Sequence, residues 1–142
     1  MLLVDGSGIP LSLIVTGANR HDVSQLAATL DAVVVPRAPV TPRAPQHSCA
    51  DAGFVGDPAL HEMCMQDYTP HVRPRTEERT ERAQGQRARR WVVEVAHSWF
   101  NRFRKLLVRY EKLHRSYVAL NTLAAAVITL RSVPAKTNII YG

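Results

Sequence analysis

The chain is short of cysteine, of aromatic residues, of acids and of long apolar runs. Its two cysteines, Cys49 and Cys64, cannot build a disulfide framework, which points to a reducing compartment. Aromatic residues make up 6%, so the core has to be mainly aliphatic. The apolar stretch Tyr117–Leu130 is too short to span a bilayer and is broken by Asn121 and Thr122. It reads as a buried helix. Met1–Val4 is apolar, but Asp5 and Gly6 end the run before it could serve as a signal-peptide core. The 12 acids face 18 lysines and arginines, a formal net charge of +6. That balance disfavours acid-rich surfaces and favours a polyanionic partner, with nucleic acid as the leading class.

What is present suits one domain with a modest core: 142 residues, 46% of them hydrophobic. Leu2–Val4 and Leu11–Val15 are β-prone runs around Asp5-Gly6-Ser7-Gly8, which predicts a hairpin. Asp22 as N-cap, followed by Val23, Leu26, Leu30 and Val33, predicts a helix. "PRAPVTPRAPQ" reads as a stiff extended connector. "HSCADAGFVGD" predicts a short buried strand ending near Asp51, then a glycine-rich turn. Asp57 and Pro58 open a short helix. "YTPHVRP" predicts a strand that Pro70 and Pro74 confine to an edge. "RTEERTERAQGQRARR" is charged throughout and predicts a solvated loop or a frayed helix.

"RRWVVEVAHSWFNRFRKLLVRYEK", from Arg89 to Lys112, predicts one long helix. Around it, Val92, Ala96, Trp99, Phe103, Leu106, Leu107 and Tyr110 share an apolar face. Glu94, Ser98, Asn101, Lys105, Arg109 and Lys112 share the opposite one. A last helix covers "SYVALNTLAAAVITLRSV", capped by Ser116, with Pro134 beyond it. Residues 1–134 form the domain and residues 135–142 a flexible tail. Strands alternating with helices behind an antiparallel hairpin predict an α/β fold, a mixed sheet flanked by helices.

Two acids carry candidate chemistry. Glu94 suits an ordinary pairing with Arg90, four residues before it. It also suits metal ligation, if a second carboxylate stands nearby. Asp51 ends an apolar strand, where α/β sheets tend to place chemistry, and it also suits a simple turn. Carboxylates and phosphate oxygens are the hard ligands that Mg²⁺ takes. Two such ions can activate an attacking oxygen and stabilise a leaving one in phosphodiester chemistry. His47-x-Cys49 and His61-x2-Cys64 sketch a zinc site with irregular spacing, and core packing is the competing explanation.

Taken together, "LLVDGSGIPLSLIVTGANRHD", "ADAGFVGDPAL" and "RRWVVEVAHSWFNRFRKLLVRYEK" resemble the DDE transposases of bacterial insertion sequences over nearly the whole chain. The resemblance implies a ribonuclease-H-like fold. It implies that Asp51 and Glu94 are catalytic acids and metal ligands, and that Mg²⁺ or Mn²⁺ occupies a two-metal site. It implies metal-dependent DNA cleavage and strand transfer at element ends, with double-stranded DNA as partner. Arg90, Asn101, Arg102, Lys105 and Arg109 become the DNA-binding set. It further implies a cytoplasmic, nucleoid-associated protein that partners with itself or with an upstream transposase portion. The family's first aspartate lies on a central strand before the hairpin, so the fold is expected to be truncated at its N-terminus. Three readings stay open: an enzyme completed by upstream sequence, an inactive DNA-binding remnant or regulator of the element, and an unrelated basic nucleic-acid-binding protein.

Overall fold

A computed structural model describes residues 1–17, 19–74 and 91–132. The hairpin forms where the turn chemistry places it, with β1 (Leu2–Val4) antiparallel to β2 (Pro10–Leu13). Asp5 builds the turn. Its Oδ1 accepts hydrogen bonds from the backbone N–H groups of Ser7 at 2.8 Å and Ile9 at 2.9 Å. Gly8 takes φ 88°, a left-handed conformation that glycine adopts without steric cost. At the open end, Met1 and Ile14 exchange two hydrogen bonds, Met1 N to Ile14 O at 2.6 Å and Ile14 N to Met1 O at 3.0 Å.

The next segment corrects the expected cap. A 3-10 turn, Asp22–Gln25, precedes α1 (Leu26–Asp31), and His21, not Asp22, holds the cap position. The apolar stripe narrows as a result. Leu26 and Leu30 are buried, while Val23 is exposed. Ser12 Oγ donates to Thr29 O at 2.6 Å, fastening α1 to the hairpin through two buried polar residues.

The proline-rich connector is anchored by Arg37. Its Nε donates to Gln46 Oε1 and its Nη1 to Gln66 O, both at 2.8 Å, and its guanidinium lies 4.0 Å from the Tyr68 ring centroid. Nη2 is buried with no hydrogen-bond partner among the described residues. β3 (Gln46–Ala50) then runs parallel to β4 (Tyr68–Val72), with α2 (Asp57–Met65) as the crossover between them. Gly56, not Asp57, is the N-cap of α2, and Asp57 sits in its first turn. Pro70 is tolerated because, among the described residues, β4 has a ladder partner on one side only.

The expected single mixed sheet is divided. Among the described residues there are two two-stranded sheets, β1–β2 and β3–β4, with no ladder joining them. Helices cover both sides of the hairpin. Leu3 packs with Leu26, Leu30, Phe54, Ala59 and Met63. Its neighbour Leu2 points the other way, to Phe100, Ala124 and Ile128.

The expected helix Arg89–Lys112 is also divided. Within the described residues, α3 spans Trp91–Phe100 and a short α4 spans Arg104–Leu107. Between them the chain tightens: Arg102 N bonds to Trp99 O and Phe103 N to Phe100 O, and Phe103 is extended. The break has a packing reason. It lets Phe100, Phe103 and Leu106 all contact the Ala124–Ile128 face of the last helix, α5 (His114–Ser132). α5 begins two residues before Ser116, which is therefore not its cap. Leu107 and Tyr110, expected in the core, are exposed, and Phe100 is buried instead. Residues 75–90, expected as a solvated loop or frayed helix and including Arg90, and the expected tail 135–142 lie outside the described residues. No helix of the described residues is long and apolar enough to cross a membrane.

Candidate active site

Asp51 follows β3 directly. The strand ends here because the next residues coil into a 3-10 turn, Ala52–Phe54, with Asp51 as its N-cap. Asp51 Oδ1 accepts a 2.8 Å hydrogen bond from Gly53 N–H, which fixes the carboxylate against the turn. Phe54 is buried in the α1–α2 cluster and anchors the turn from below. A side chain at position 53 would crowd the acid, because a Cβ there would stand 3.0 Å from Asp51 Oδ1. The carboxylate is therefore both exposed and oriented.

Glu94 lies in the first turn of α3 and is exposed, while Ala96 and Phe100 bury the helix's other side. α3 packs against the hairpin. The Val92 carbonyl and the Trp99 ring both lie over Gly8, where a Cβ would meet them at 3.4 and 3.5 Å. This contact sets where Glu94 stands relative to the strands.

Asp51 and Glu94 line one cleft of ≈ 1250 Å³, enclosed by β1, β3, α1 and α3. His97 and Asn101 line it too. Arg102 and Lys105 are exposed outside it. Because the helix breaks after Phe100, Asn101, Lys105 and Arg109 do not continue Glu94's line along one helix face. Arg109 is engaged locally, its guanidinium 4.8 Å from the Tyr117 ring centroid and its Nε 3.3 Å from Glu111 O.

Carboxylates are the ligand type that a hard divalent cation takes alongside water and phosphate. No group of three His, Cys, Asp or Glu residues among the described residues could hold a metal. Asp5 also lines the cleft, but its Oδ1 is committed to the hairpin turn. The sketched zinc pairing is replaced by another contact. His47 Nδ1 lies 2.8 Å from His71 Nε2 across the parallel ladder, beside Cys49, which faces His71 in register. Both histidines are visible in the sequence, but only the β3–β4 register brings them together.

Comparison with known proteins bears on the same residues. A family model described as "Transposase DDE domain" matches residues 49–131, a span that includes both acids. A Burkholderia cepacia protein named as a transposase for insertion sequence element IS402 is 34% identical over 139 residues. The match covers 92% of this chain and 63% of that relative, so the chain spans under two thirds of its length. No solved structure matches the chain.

Proposed function

Because the chain belongs to the DDE transposases of insertion sequences, a family concerned with DNA transposition, we propose that Asp51 and Glu94 are its catalytic acids. Together they hold divalent metal, Mg²⁺ or Mn²⁺, for cleavage and strand transfer on double-stranded DNA. The observation that carries this reading is the shared cleft: two exposed carboxylates from distant parts of the sequence line one cavity. Bound metal supplies charge neutralisation at the phosphate and an activated oxygen. The chain's own part is to position the ligands. Gly53 N–H fixes Asp51, and the α3–hairpin contact fixes Glu94. Arg90, Asn101, Arg102, Lys105 and Arg109 are proposed to steady the DNA backbone by charge and hydrogen bonding. The finer fold assignment, a ribonuclease-H-like domain, belongs to the same proposal. So does a cytoplasmic location on the nucleoid.

The test is Mn²⁺- or Mg²⁺-dependent nicking of a plasmid bearing the element ends, by a protein extended to the relative's full length. Asp51→Asn and Glu94→Gln should each cut at least about a hundredfold more slowly, a loss of about 3 kcal/mol in transition-state stabilisation. Unchanged nicking by either variant removes that residue from the site. A second reading has its own observation. Asp5 is held by the turn, and no group of three metal-ligating side chains occurs among the described residues. Residues 1–142 alone then act as a DNA-binding product that regulates the element without cutting. Nicking by residues 1–142 alone would overturn it.

A further inference from the structure

The β3–β4 ladder has two faces of different chemistry. Along β3, Ser48 is buried, while His47 and Cys49 are exposed. Along β4, Tyr68 and Val72 pack against the cluster of Leu26, Leu30, Phe54, Ala59 and Met63, which sends Thr69 and His71 to the opposite face. The parallel register sets His47 beside Thr69 and Cys49 beside His71, so the two histidines are diagonal neighbours on one face. Their rings meet there. His47 Nδ1 stands 2.8 Å from His71 Nε2, with the ring centroids 4.9 Å apart and the planes tilted by 45°.

Two ring nitrogens aimed at each other suit a hydrogen-bonded pair, and they also suit two ligands converging on one ion. Histidine nitrogens sit about 2.0–2.1 Å from Zn²⁺, so two of them stand about 2.9 Å apart at a right angle and about 3.3–3.4 Å apart at the tetrahedral angle. The observed 2.8 Å already matches the first arrangement, and a slight opening of the rings reaches the second. Imidazole nitrogen suits Zn²⁺, Ni²⁺ and Cu²⁺, whereas Mg²⁺ takes oxygen. Both histidines stand on paired strands, which hold a ligand geometry better than loops do. Among the described residues no third His, Cys, Asp or Glu completes a metal-holding group, so the remaining positions fall to water.

We propose that His47 and His71 form a two-histidine site for a divalent transition metal of the Zn²⁺ class, bound through His47 Nδ1 and His71 Nε2. Both nitrogens must be bare to bind. The ring that donates in the free pair therefore moves its proton to its other nitrogen by exchange with solvent, and each neutral ring keeps one proton throughout. The site uses neither Asp51 nor Glu94. Zn²⁺ binding and DNA nicking are measured separately, so each can fail alone.

The test is nitrogen-resolved NMR of the six histidine rings of residues 1–142, titrated with Zn²⁺ and, as a control, with Mg²⁺. The expected result is saturable shifts at His47 Nδ1 and His71 Nε2 with Zn²⁺ and none with Mg²⁺. His47→Ala and His71→Ala should each weaken Zn²⁺ binding by at least about tenfold, a loss that even a change outside the ligand set can cause. Cys49→Ser should bind as the parent does. Amide spectra show whether each variant folds, and His47→Ala, at an exposed position, decides the matter if His71→Ala does not. Four results overturn the proposal. One is no shift at either ring. Another is shifts spread evenly over all six rings, which is an adventitious ion only. A third is parental affinity in a folded histidine variant. The last is a loss in Cys49→Ser as large as in the histidine variants, which makes the thiol a ligand and the site something other than a histidine pair.

Discussion

Asp5 and Asp51 are both aspartates at strand ends, and both accept backbone hydrogen bonds, yet their environments assign them different work. Asp5 Oδ1 takes two N–H groups of its own turn, while Asp51 Oδ1 takes one. Asn keeps that acceptor, so Asp5→Asn should leave stability within about 0.5 kcal/mol. Asp5→Ala, which leaves two turn donors without this partner, should cost about 1–2 kcal/mol. Urea midpoints of both variants check this. Asp5→Asn should also leave metal-dependent nicking by the extended protein unchanged, and a loss there would make Asp5 a ligand after all. The glycines make a second contrast. Gly8→Ala should cost about 1–2 kcal/mol, because L-residues resist its φ of 88°. Gly53→Ala should change stability less, because no left-handed backbone is involved. It should slow nicking instead, through the Cβ that would crowd Asp51 Oδ1. Equal nicking by Gly53→Ala and the parent would mean that this turn does not tune the acid.

At the scale of elements, the α3–α4 break decides which side chains hold the α3–α5 cluster. Phe100→Ala should cost about 3–5 kcal/mol, because Phe100 is buried against Ala124 and Ile128. Leu107→Ala should stay within about 0.5 kcal/mol, because Leu107 is 61% exposed. One continuous helix would reverse that order, so two unfolding curves distinguish the arrangements. The comparison also shows what was legible in the sequence. The hairpin, β3, α2 and β4 were readable because turn glycines and prolines bound each short apolar run. Asp51 and Glu94 stood out as candidates through their strand-end and helix-turn positions and a family resemblance. The break at Asn101–Phe103 was not readable, because a 3.6-residue stripe looks the same whether or not the helix bends to follow a partner. The caps at His21 and Gly56 were missed because Asp22 and Asp57 have the stronger cap propensity, whereas neither observed cap makes a side-chain hydrogen bond that the sequence could signal. The His47–His71 contact depends on a parallel register that no local pattern encodes.

For the whole molecule, the net charge of +6 and the exposed cations of α4 and its approach predict how the chain meets DNA. Each phosphate neutralised by a Lys or Arg releases condensed counterions, so log K falls with log[salt] by about 0.9 per contact. Arg102 and Lys105 are exposed and outside the cleft lining, which suits the proposed role of phosphate-backbone contacts. Arg102→Ala with Lys105→Ala should therefore flatten the salt slope by about 2 and weaken binding evenly across sequences. Fluorescence anisotropy on labelled duplexes over a range of salt measures both. Arg109→Ala should flatten the slope by less than one full contact, because its guanidinium is already drawn over Tyr117 and toward the Glu111 carbonyl. Glu94→Gln should leave the slope unchanged while abolishing nicking, which separates holding DNA from cutting it. If the double variant keeps the parental slope, the positive charge of this region is not the DNA-facing surface, and the interface must be sought elsewhere on the molecule.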